Sequence, residues 1–192
     1  AVGYALEARE HLPHSAFIAG TAETGGQILV DNLPGWELDT LIAHIGEETA
    51  NVPQVPAAPL IPLFTELRRR GLPLGIATND GIVSVTRHLT ETGLHELVDF
   101  VAGYDSGHGA KPGPGMLLAF AEEVGVAPGE ALMVGDSTHD LFAARAAGMP
   151  AVAVLTGHAE ADDLAPHAEA VLDTIAELPG WLDARNAERR RA

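Results

Sequence analysis

Two carboxylates four residues apart, in Gly135-Asp136-Ser137-Thr138-His139-Asp140, have the types and spacing that could do chemistry. An apolar run, 131–134, precedes them and a helix-like segment, 141–147, follows, which is typical of a strand-to-helix corner in a parallel sheet. Ligands of such sheets bind at the carboxyl ends of the strands. Asp136 and Asp140, one helical turn apart, would face the same way and suit Mg²⁺ together with a phosphate. Alternatively, Asp136 caps the helix and Asp140 is a solvated first-turn acid.

Two other predicted strand ends carry groups that complement these acids. Thr78 and Asn79 follow the apolar run 74–77, and Lys111 follows a glycine-rich loop after the predicted strand 100–102. Phosphoryl transfer needs a hydroxyl and backbone amides to bind phosphate oxygens, a fixed cation, and carboxylates that hold Mg²⁺. Taken alone, Thr78 could be a hydroxyl that precedes a helix and Lys111 could be an ordinary surface lysine. Taken together at successive strand ends, these residues predict a phosphoryl-transfer site.

The elements that would position these groups alternate from residue 57 onward. The predicted helices are 59–70, 82–91, 114–124 and the segment after Asp140, and the predicted strands are 74–77, 100–102, 131–134, 151–155 and 170–172. Strands and helices alternating at this rhythm indicate an α/β fold with a doubly wound parallel sheet, a Rossmann-like core. The arginine-rich end of the chain is interpreted as a solvated helix terminus.

Residues 1–56 differ from this pattern and predict a separate helical subdomain. Residues 4–12 are interpreted as a short helix. In the segment 36–48, apolar residues recur at helical spacing, which predicts a helix with one packed face. Two prolines within 51–56 indicate a stiff linker, so we place the boundary between a subdomain, 1–56, and the core, 57–192.

Composition excludes several classes of function. The 192 residues carry a formal net charge of −16, from 27 acids against 11 bases, so nucleic acids and anionic membranes are poor partners. The chain has no cysteine, which excludes thiol nucleophiles, disulfides and thiolate metal sites, and its histidines lack zinc-ligand spacing. Its apolar runs are shorter than the roughly 20 residues of a membrane span. We therefore expect a cytoplasmic protein.

Three motifs resemble those of the haloacid dehalogenase superfamily of phosphatases. Ile76-Ala77-Thr78-Asn79 resembles its second motif, Lys111-Pro112-Gly113-Pro114 its third, and the stretch 135–140 its fourth. The run 143–149 is similar to the helix that follows the fourth motif in the phosphoglycolate phosphatase-like branch. The resemblance covers about residues 57–175, and it identifies residues 1–56 as part of a helical cap.

The resemblance implies a Mg²⁺-dependent phosphomonoester hydrolase that works through an aspartyl-phosphate and acts on small phosphorylated metabolites. Thr78 would bind the transferring phosphoryl group together with the Asn79 amide. Lys111 would neutralise the nucleophile and the phosphate. Asp136 would ligate Mg²⁺, and Asp140 would ligate it through water or orient Lys111.

The sequence departs from the family at the first motif, Asp-x-Asp-Gly after a strand, which supplies the nucleophile and the general acid. The nearest imitation is the strand-like run 28–35, in which Asp31 ends an apolar stretch but Leu33 stands where the second acid is needed. A turn of the cap is the favoured interpretation of Asp31. We therefore expect the nucleophile upstream of Ala1, on a strand between those that lead to Thr78 and Asp136, or a strand from elsewhere in that place.

Other interpretations stay open at this point. A non-catalytic relative that keeps the phosphate and Mg²⁺ pocket without the nucleophile is the alternative function. The dehalogenase branch is disfavoured because Asp136 and Asp140 indicate a metal that dehalogenation does not use. His108, in the loop before Lys111, either meets substrate or is a plain loop residue, and His139 is interpreted as structural. The exact substrate and the oligomeric state are not predicted.

Overall fold

The computed structural model describes residues 15–50 and 55–191, together with Tyr4–Ala5, Glu7 and Glu10–His11 near the N-terminus. Strand β1 (Tyr4–Ala5) pairs antiparallel with β2 (Glu10–His11). The helix predicted over residues 4–12 is therefore wrong. A helix of that length is marginal in water, so pairing between the two segments readily displaces it. Most of the predicted linker, residues 51–54, lies outside the described residues.

Three helices follow the hairpin. They are α1 (Ala16–Ala19), α2 (Ala22–Val30) and α3 (Leu38–Ala50). Helix α2 begins where the Thr21 side chain accepts a hydrogen bond from the Thr24 backbone amide at 3.2 Å, which satisfies a free donor of the first turn. Helix α3 is the predicted helix 36–48 shifted by two residues toward the C-terminus at both of its ends.

Close packing among these helices depends on two adjacent glycines in α2. A Cβ atom at Gly25 would lie 2.7 Å from Cε1 of Phe17, and one at Gly26 would lie 3.1 Å from Cδ1 of Leu38. Helix α2 continues through Val30, so the interpretation of 28–30 as strand-like is wrong.

From residue 60 onward, helices and parallel strands alternate as predicted. The elements are α4 (Leu60–Arg69), β3 (Gly75–Ala77), α5 (Ile82–Glu91), β4 (Phe100–Ala102), α6 (Gly115–Val124), β5 (Met133–Gly135), α7 (Thr138–Ala147), β6 (Ala151–Val154), α8 (Ala161–Leu164), β7 (Ala170–Leu172) and α9 (Leu178–Arg189). The bounds of most predicted elements agree to within about two residues, but α7 begins three residues before the predicted segment 141–147, and α8 was not predicted. Within the described ranges, no helix is long and apolar enough to cross a membrane.

The strands of this α/β core are parallel and form two hydrogen-bonded groups. Strand β3 pairs with β4, with Ile76 opposite Val101. Strand β6 lies between β5 and β7, with Val152 opposite Val134 and Ala170. Among the described residues, β3 and β5 are not hydrogen-bonded to each other. Direct pairing of β3 with β5 would contradict a strand between them. The described residues do not show that pairing, so a strand that carries the first motif stays a prediction.

Helices cover both faces of these strands, as a doubly wound fold requires. One apolar cluster packs α6 and α7 against the sheet and includes Met116 and Leu141, both fully buried. The other packs α4, α5 and α9 against the opposite face and includes Phe64, Leu89 and Leu178. Two packed faces hold the strands in place, so the strand ends are rigid positions for functional groups.

Candidate active site

A buried ion pair joins the third and fourth predicted motifs. Lys111 Nζ donates hydrogen bonds to Asp140 Oδ1 at 2.6 Å and to the Ala77 carbonyl at 2.7 Å. The two charged side chains are only 11% and 6% exposed. A buried charge is stable only when it is paired and hydrogen-bonded. The cation is therefore held in one place at the end of β3.

Asp140 uses both carboxylate oxygens inside the protein. Its Oδ2 accepts hydrogen bonds from the Asp136 amide at 3.2 Å, the Ser137 amide at 3.1 Å and the Ser137 hydroxyl at 2.8 Å. The Ser137 hydroxyl in turn accepts from the Asp140 amide at 3.3 Å, which forms a capping box at the start of α7. A Cβ at Gly135 would collide with the Asp140 side chain, so β5 must end in glycine.

Asn79 fixes the backbone of Lys111. Its Nδ2 donates to the Lys111 carbonyl at 2.9 Å, and its Oδ1 accepts from the Lys111 amide at 2.8 Å. Thr78, one residue earlier, accepts a hydrogen bond at Oγ1 from the Asp80 amide at 3.1 Å, while its own amide donates to Ala102 on β4. The end of β3 and the Lys111 loop are thus held together by Asn79, one of the predicted site residues.

Asp136 lies at the end of β5 in a partly desolvated position. Burial raises the pKa of its carboxyl, and the negative charge of Asp140 raises it further. Lys111 and His158 act in the opposite direction on that pKa. A divalent cation would stabilise the charged form of Asp136, because it supplies the compensating charge that the surroundings give only in part.

The predicted site residues lie around one cavity of about 900 Å³. The core supplies Thr78, Asn79, Lys111, Asp136 and Asp140, and the N-terminal helices close the cavity on another side with Ser15, Phe17, Ile18, Gly20 and Thr24. No described group of three or more His, Asp or Glu side chains is arranged to hold a metal ion by itself. Asp136 is thus a partial cation site in the described part of the chain.

Sequence reasoning missed several residues of the cavity. Gly157 and His158 line it, and so do Phe17 and Ile18. The loop with Gly157 follows the carboxyl end of β6, so the rule that selected Thr78 and Lys111 would have found it. No comparable signal marks Phe17 and Ile18, because they are ordinary apolar residues brought over the site by tertiary packing.

The three weaker candidates, His139, His108 and Asp31, lie in different surroundings. His139, interpreted as structural, lies in the lining of the cavity. His108 packs its ring against Phe100, with 6.2 Å between ring centroids, which agrees with a loop role. Asp31 is the exposed C-cap of α2 and accepts a hydrogen bond from the Gln27 side chain at 2.7 Å. Asp31 thus belongs to a turn of the helical segment, as the favoured interpretation predicted.

Comparisons with known proteins agree with the motifs. The profile of a family described as "Haloacid dehalogenase-like hydrolase" matches residues 19–154. The phosphoglycolate phosphatase of Escherichia coli K12 is 35% identical over 128 residues, which are 66% of this chain and 50% of that protein. The phosphoglycolate phosphatase of Rhodospirillum rubrum is 37% identical over 120 residues, which are 62% of this chain and 50% of that protein. The chain thus spans about half the length of the curated relatives it matches.

A solved structure confirms the fold. The predicted phosphoglycolate phosphatase of Haemophilus somnus superposes with a TM-score of 0.75 at 22% identity, over 87% of this chain and 80% of that one. At that identity the likeness bears on the fold alone. The family profile covers well over half of the residues, and the second, third and fourth motifs meet around one cavity. The chain therefore belongs to the haloacid dehalogenase-like hydrolases, and its curated relatives are of the phosphoglycolate phosphatase-like branch.

Proposed function

We propose that the protein is a Mg²⁺-dependent phosphomonoester hydrolase that acts on small phosphorylated metabolites, as the names of its phosphoglycolate phosphatase relatives suggest. The observation that carries this proposal is the buried Lys111–Asp140 pair beside Thr78 and Asp136. A fixed cation and a hydroxyl stabilise negative charge on a transferring phosphoryl group, and a carboxylate beside them can hold the Mg²⁺ that adds to this effect.

Each residue has a distinct role in the proposed reaction. The Thr78 hydroxyl and the Asn79 backbone amide bind oxygens of the phosphoryl group, and Lys111 neutralises their charge. Asp136 fits Mg²⁺, because a carboxylate supplies the hard oxygen that this ion prefers and waters complete its shell. The bound ion would supply positive charge for the phosphate oxygens. Asp140 orients Lys111, since both of its oxygens already accept hydrogen bonds within the protein.

The nucleophile is the part of the proposal that the described residues do not supply. Strands β3 and β5 border an apolar cavity of about 820 Å³, lined among others by Leu74, Ile76, Phe120, Leu132 and Val134. Backbone groups at two facing strand edges need partners when buried. We propose that a parallel strand fills this slot and ends beside Thr78 and Asp136, where it places an aspartate.

In that reaction the aspartate carboxylate attacks phosphorus and the ester P–O bond breaks. The leaving oxygen takes a proton from a neighbouring acid on the same strand. Water then cleaves the acyl phosphate, which releases inorganic phosphate and restores the carboxylate. Lys111 remains paired with Asp140 throughout and holds the transferred group by its charge.

The activity is tested by hydrolysis of p-nitrophenyl phosphate in a Mg²⁺ titration, with the missing aspartate-bearing strand supplied as a peptide. Asp136→Asn and Lys111→Met should each lower kcat/KM by about 100-fold or more, the usual loss on removing one group that stabilises transition-state charge. Asp162→Asn, which removes an exposed acid on α8, is the matched control and should leave it unchanged. Hydrolysis that survives chelation of Mg²⁺ or the Asp136→Asn change would contradict the proposal.

The strand is tested with a synthetic peptide of four β-branched residues followed by Asp-Leu-Asp-Gly. Added to this chain, it should slow amide hydrogen exchange in β3 and β5 and produce Mg²⁺-dependent hydrolysis. A peptide with Asn in place of the first Asp should give the same protection without hydrolysis. Hydrolysis by the 192-residue chain without any peptide would show that the nucleophile lies elsewhere.

The alternative function is a non-catalytic relative that binds phosphate and Mg²⁺. The described residues include Thr78, Lys111 and Asp136, the groups that would bind phosphate and Mg²⁺ in either function. Calorimetric titration with Mg²⁺ and inorganic phosphate separates the two functions. Binding without hydrolysis, in the presence of the aspartate-bearing peptide, would support the non-catalytic role.

A further inference from the structure

The loop that follows β6 lies against Asp136. Pairing with β7 continues to Leu155, whose amide donates to the Leu172 carbonyl at 3.0 Å, so the loop begins at the carboxyl end of the sheet. Gly157 and His158 line the same cavity as Asp136. Both loop residues are exposed on their other side. The loop is therefore a wall of the site and not part of the packed core.

The approach at Gly157 leaves no room for a side chain. A Cβ there would lie 2.5 Å from Oδ2 of Asp136, 2.7 Å from its Cγ and 2.9 Å from its Cβ. These three atoms of one carboxylate side chain are the nearest neighbours of that position. Real Cβ atoms do not approach other heavy atoms this closely, so a larger residue must move either the loop or the carboxylate.

Backbone conformation does not explain the glycine. Seven other glycines of the described chain have positive φ, and Gly157 is not among them. An alanine would therefore fit the local backbone without strain. The close approach to the Asp136 side chain is therefore what requires glycine at position 157.

We propose that Gly157 is a positioning residue for Asp136: its missing side chain lets the loop press on the carboxylate and hold it toward the cation. This inference rests on the proposed function, in which Asp136 ligates a divalent ion. Substitution of a residue that orients a metal ligand typically lowers metal affinity by about 10- to 100-fold. Because the loop is exposed, an added methyl is accommodated at little cost to the packed core, and the contact that holds the carboxylate in this position is lost.

The test is Mn²⁺ binding followed by electron paramagnetic resonance, with no substrate present. Gly157→Ala should raise the dissociation constant about 10- to 100-fold, the range seen for residues that orient metal ligands. The thermal unfolding midpoint should not change. Gly129→Ala is the matched control, since Gly129 is exposed, lacks positive φ and has only one ordinary contact, at 3.9 Å. It should leave both quantities unchanged.

A double-mutant cycle distinguishes positioning from a general structural role. If Gly157 acts through Asp136, Gly157→Ala should have no further effect on Mn²⁺ binding in the Asp136→Asn protein. Three results would overturn the inference. The losses in Mn²⁺ affinity could be additive, Gly157→Ala could bind Mn²⁺ as tightly as the unsubstituted protein, or a lowered unfolding midpoint could account for the loss of binding. If the unsubstituted protein binds no Mn²⁺, the metal role of Asp136 in the proposed function fails first.

Discussion

The α/β core, residues 57–191, and the N-terminal helices, residues 15–50, for which the sequence predicts a cap, are held together in different ways. The core buries large side chains in two clusters, one on each face of its strands. In the described part of the cap, Leu41 is the one hydrophobic side chain among the buried core residues. The cap contacts the core through α3 and α5. Its helices approach one another through glycines and not through a large apolar interior.

This difference matches what each region contributes to the cavity. The core supplies the groups of the proposed reaction, and each comes from the end of a packed strand or helix. The cap supplies Phe17 and Ile18, which line the same cavity. Groups that stabilise a transition state need fixed positions, whereas groups that admit a substrate benefit from regions of low local stability. The following substitutions test whether the two regions are separable in this way.

The largest effect is expected for Lys111→Met in the core. The substitution leaves Asp140 with an unpaired charge, in a residue that is only 4% exposed. Breaking a buried pair by removing one partner costs about 3–5 kcal/mol. The free energy of unfolding, measured with urea, should fall by that amount. Arg69→Met is the control, because Arg69 pairs with Glu66 on the surface, and it should have little effect. Equal losses in both variants would contradict a buried role for Lys111.

A matched pair of leucines compares the two regions directly. Leu141 is fully buried in the core and Leu41 is 5% exposed in the cap. Leu141→Ala should lower the free energy of unfolding of the whole core by about 2–5 kcal/mol, the usual cost of such a cavity. Leu41→Ala should loosen the cap and leave the core transition in place.

The two tryptophans of the chain make this measurable, since Trp36 lies beside the cap helices and Trp181 lies on α9. Fluorescence of a Trp181→Phe variant reports the cap, and fluorescence of a Trp36→Phe variant reports the core. In the Leu41→Ala background, only the cap signal should shift to lower denaturant concentration. If both signals shift together, the cap and the core unfold as one unit and the comparison fails.

Gly25→Ala tests the cap's contribution to the cavity. A Cβ at Gly25 would lie 2.7 Å from the Phe17 ring, so the ring must move. KM for a phosphomonoester substrate should rise by about tenfold, comparable to one methylene group in a binding pocket. The urea transition of the core should not change. Gly46→Ala on α3, where a Cβ meets nothing within 4 Å, is the control. An unchanged KM for Gly25→Ala would show that Phe17 does not contact the substrate.

The same contrast separates what could be predicted from the sequence from what could not. In the core, helix 82–91 and strands 100–102 and 170–172 were predicted to the residue, because buried strands and amphipathic helices leave strong periodic signals. Near the N-terminus, the helix predicted over 4–12 is a two-stranded pairing and the strand-like run 28–30 is a helix. Local preference there is weak, and tertiary contacts decide the conformation.

The candidate site shows the same limit. Thr78, Asn79, Lys111, Asp136 and Asp140 were selected because each follows a strand, and the structure gathers them around one cavity. The contact between Asp140 Oδ1 and Lys111 was one of the two expected roles of Asp140. The hydrogen bonds to its Oδ2 could not be predicted, since they depend on the turn geometry at residues 135–137. The contact between Gly157 and Asp136 joins segments twenty-one residues apart, and no pattern in the sequence indicates it.

The smallest effect concerns exposed charges at the edge of the core, where Glu66 on α4 accepts hydrogen bonds from Arg69 and Arg70. These bonds, with Arg69 first, lower the pKa of Glu66 to about 2. A carboxyl whose pKa is lowered in the folded state stabilises the protein at pH values above its ordinary pKa of 4.5. That contribution is lost as the pH falls toward 2.

Between these pH values the unsubstituted protein should lose more stability than the Glu66→Gln variant does. The difference should be modest and should shrink at about 1 M salt, because the pair is solvent-screened. Glu122→Gln, an exposed acid on α6, should follow the unsubstituted protein at every pH, and an identical acid profile for Glu66→Gln would show that buried packing alone holds this edge of the core.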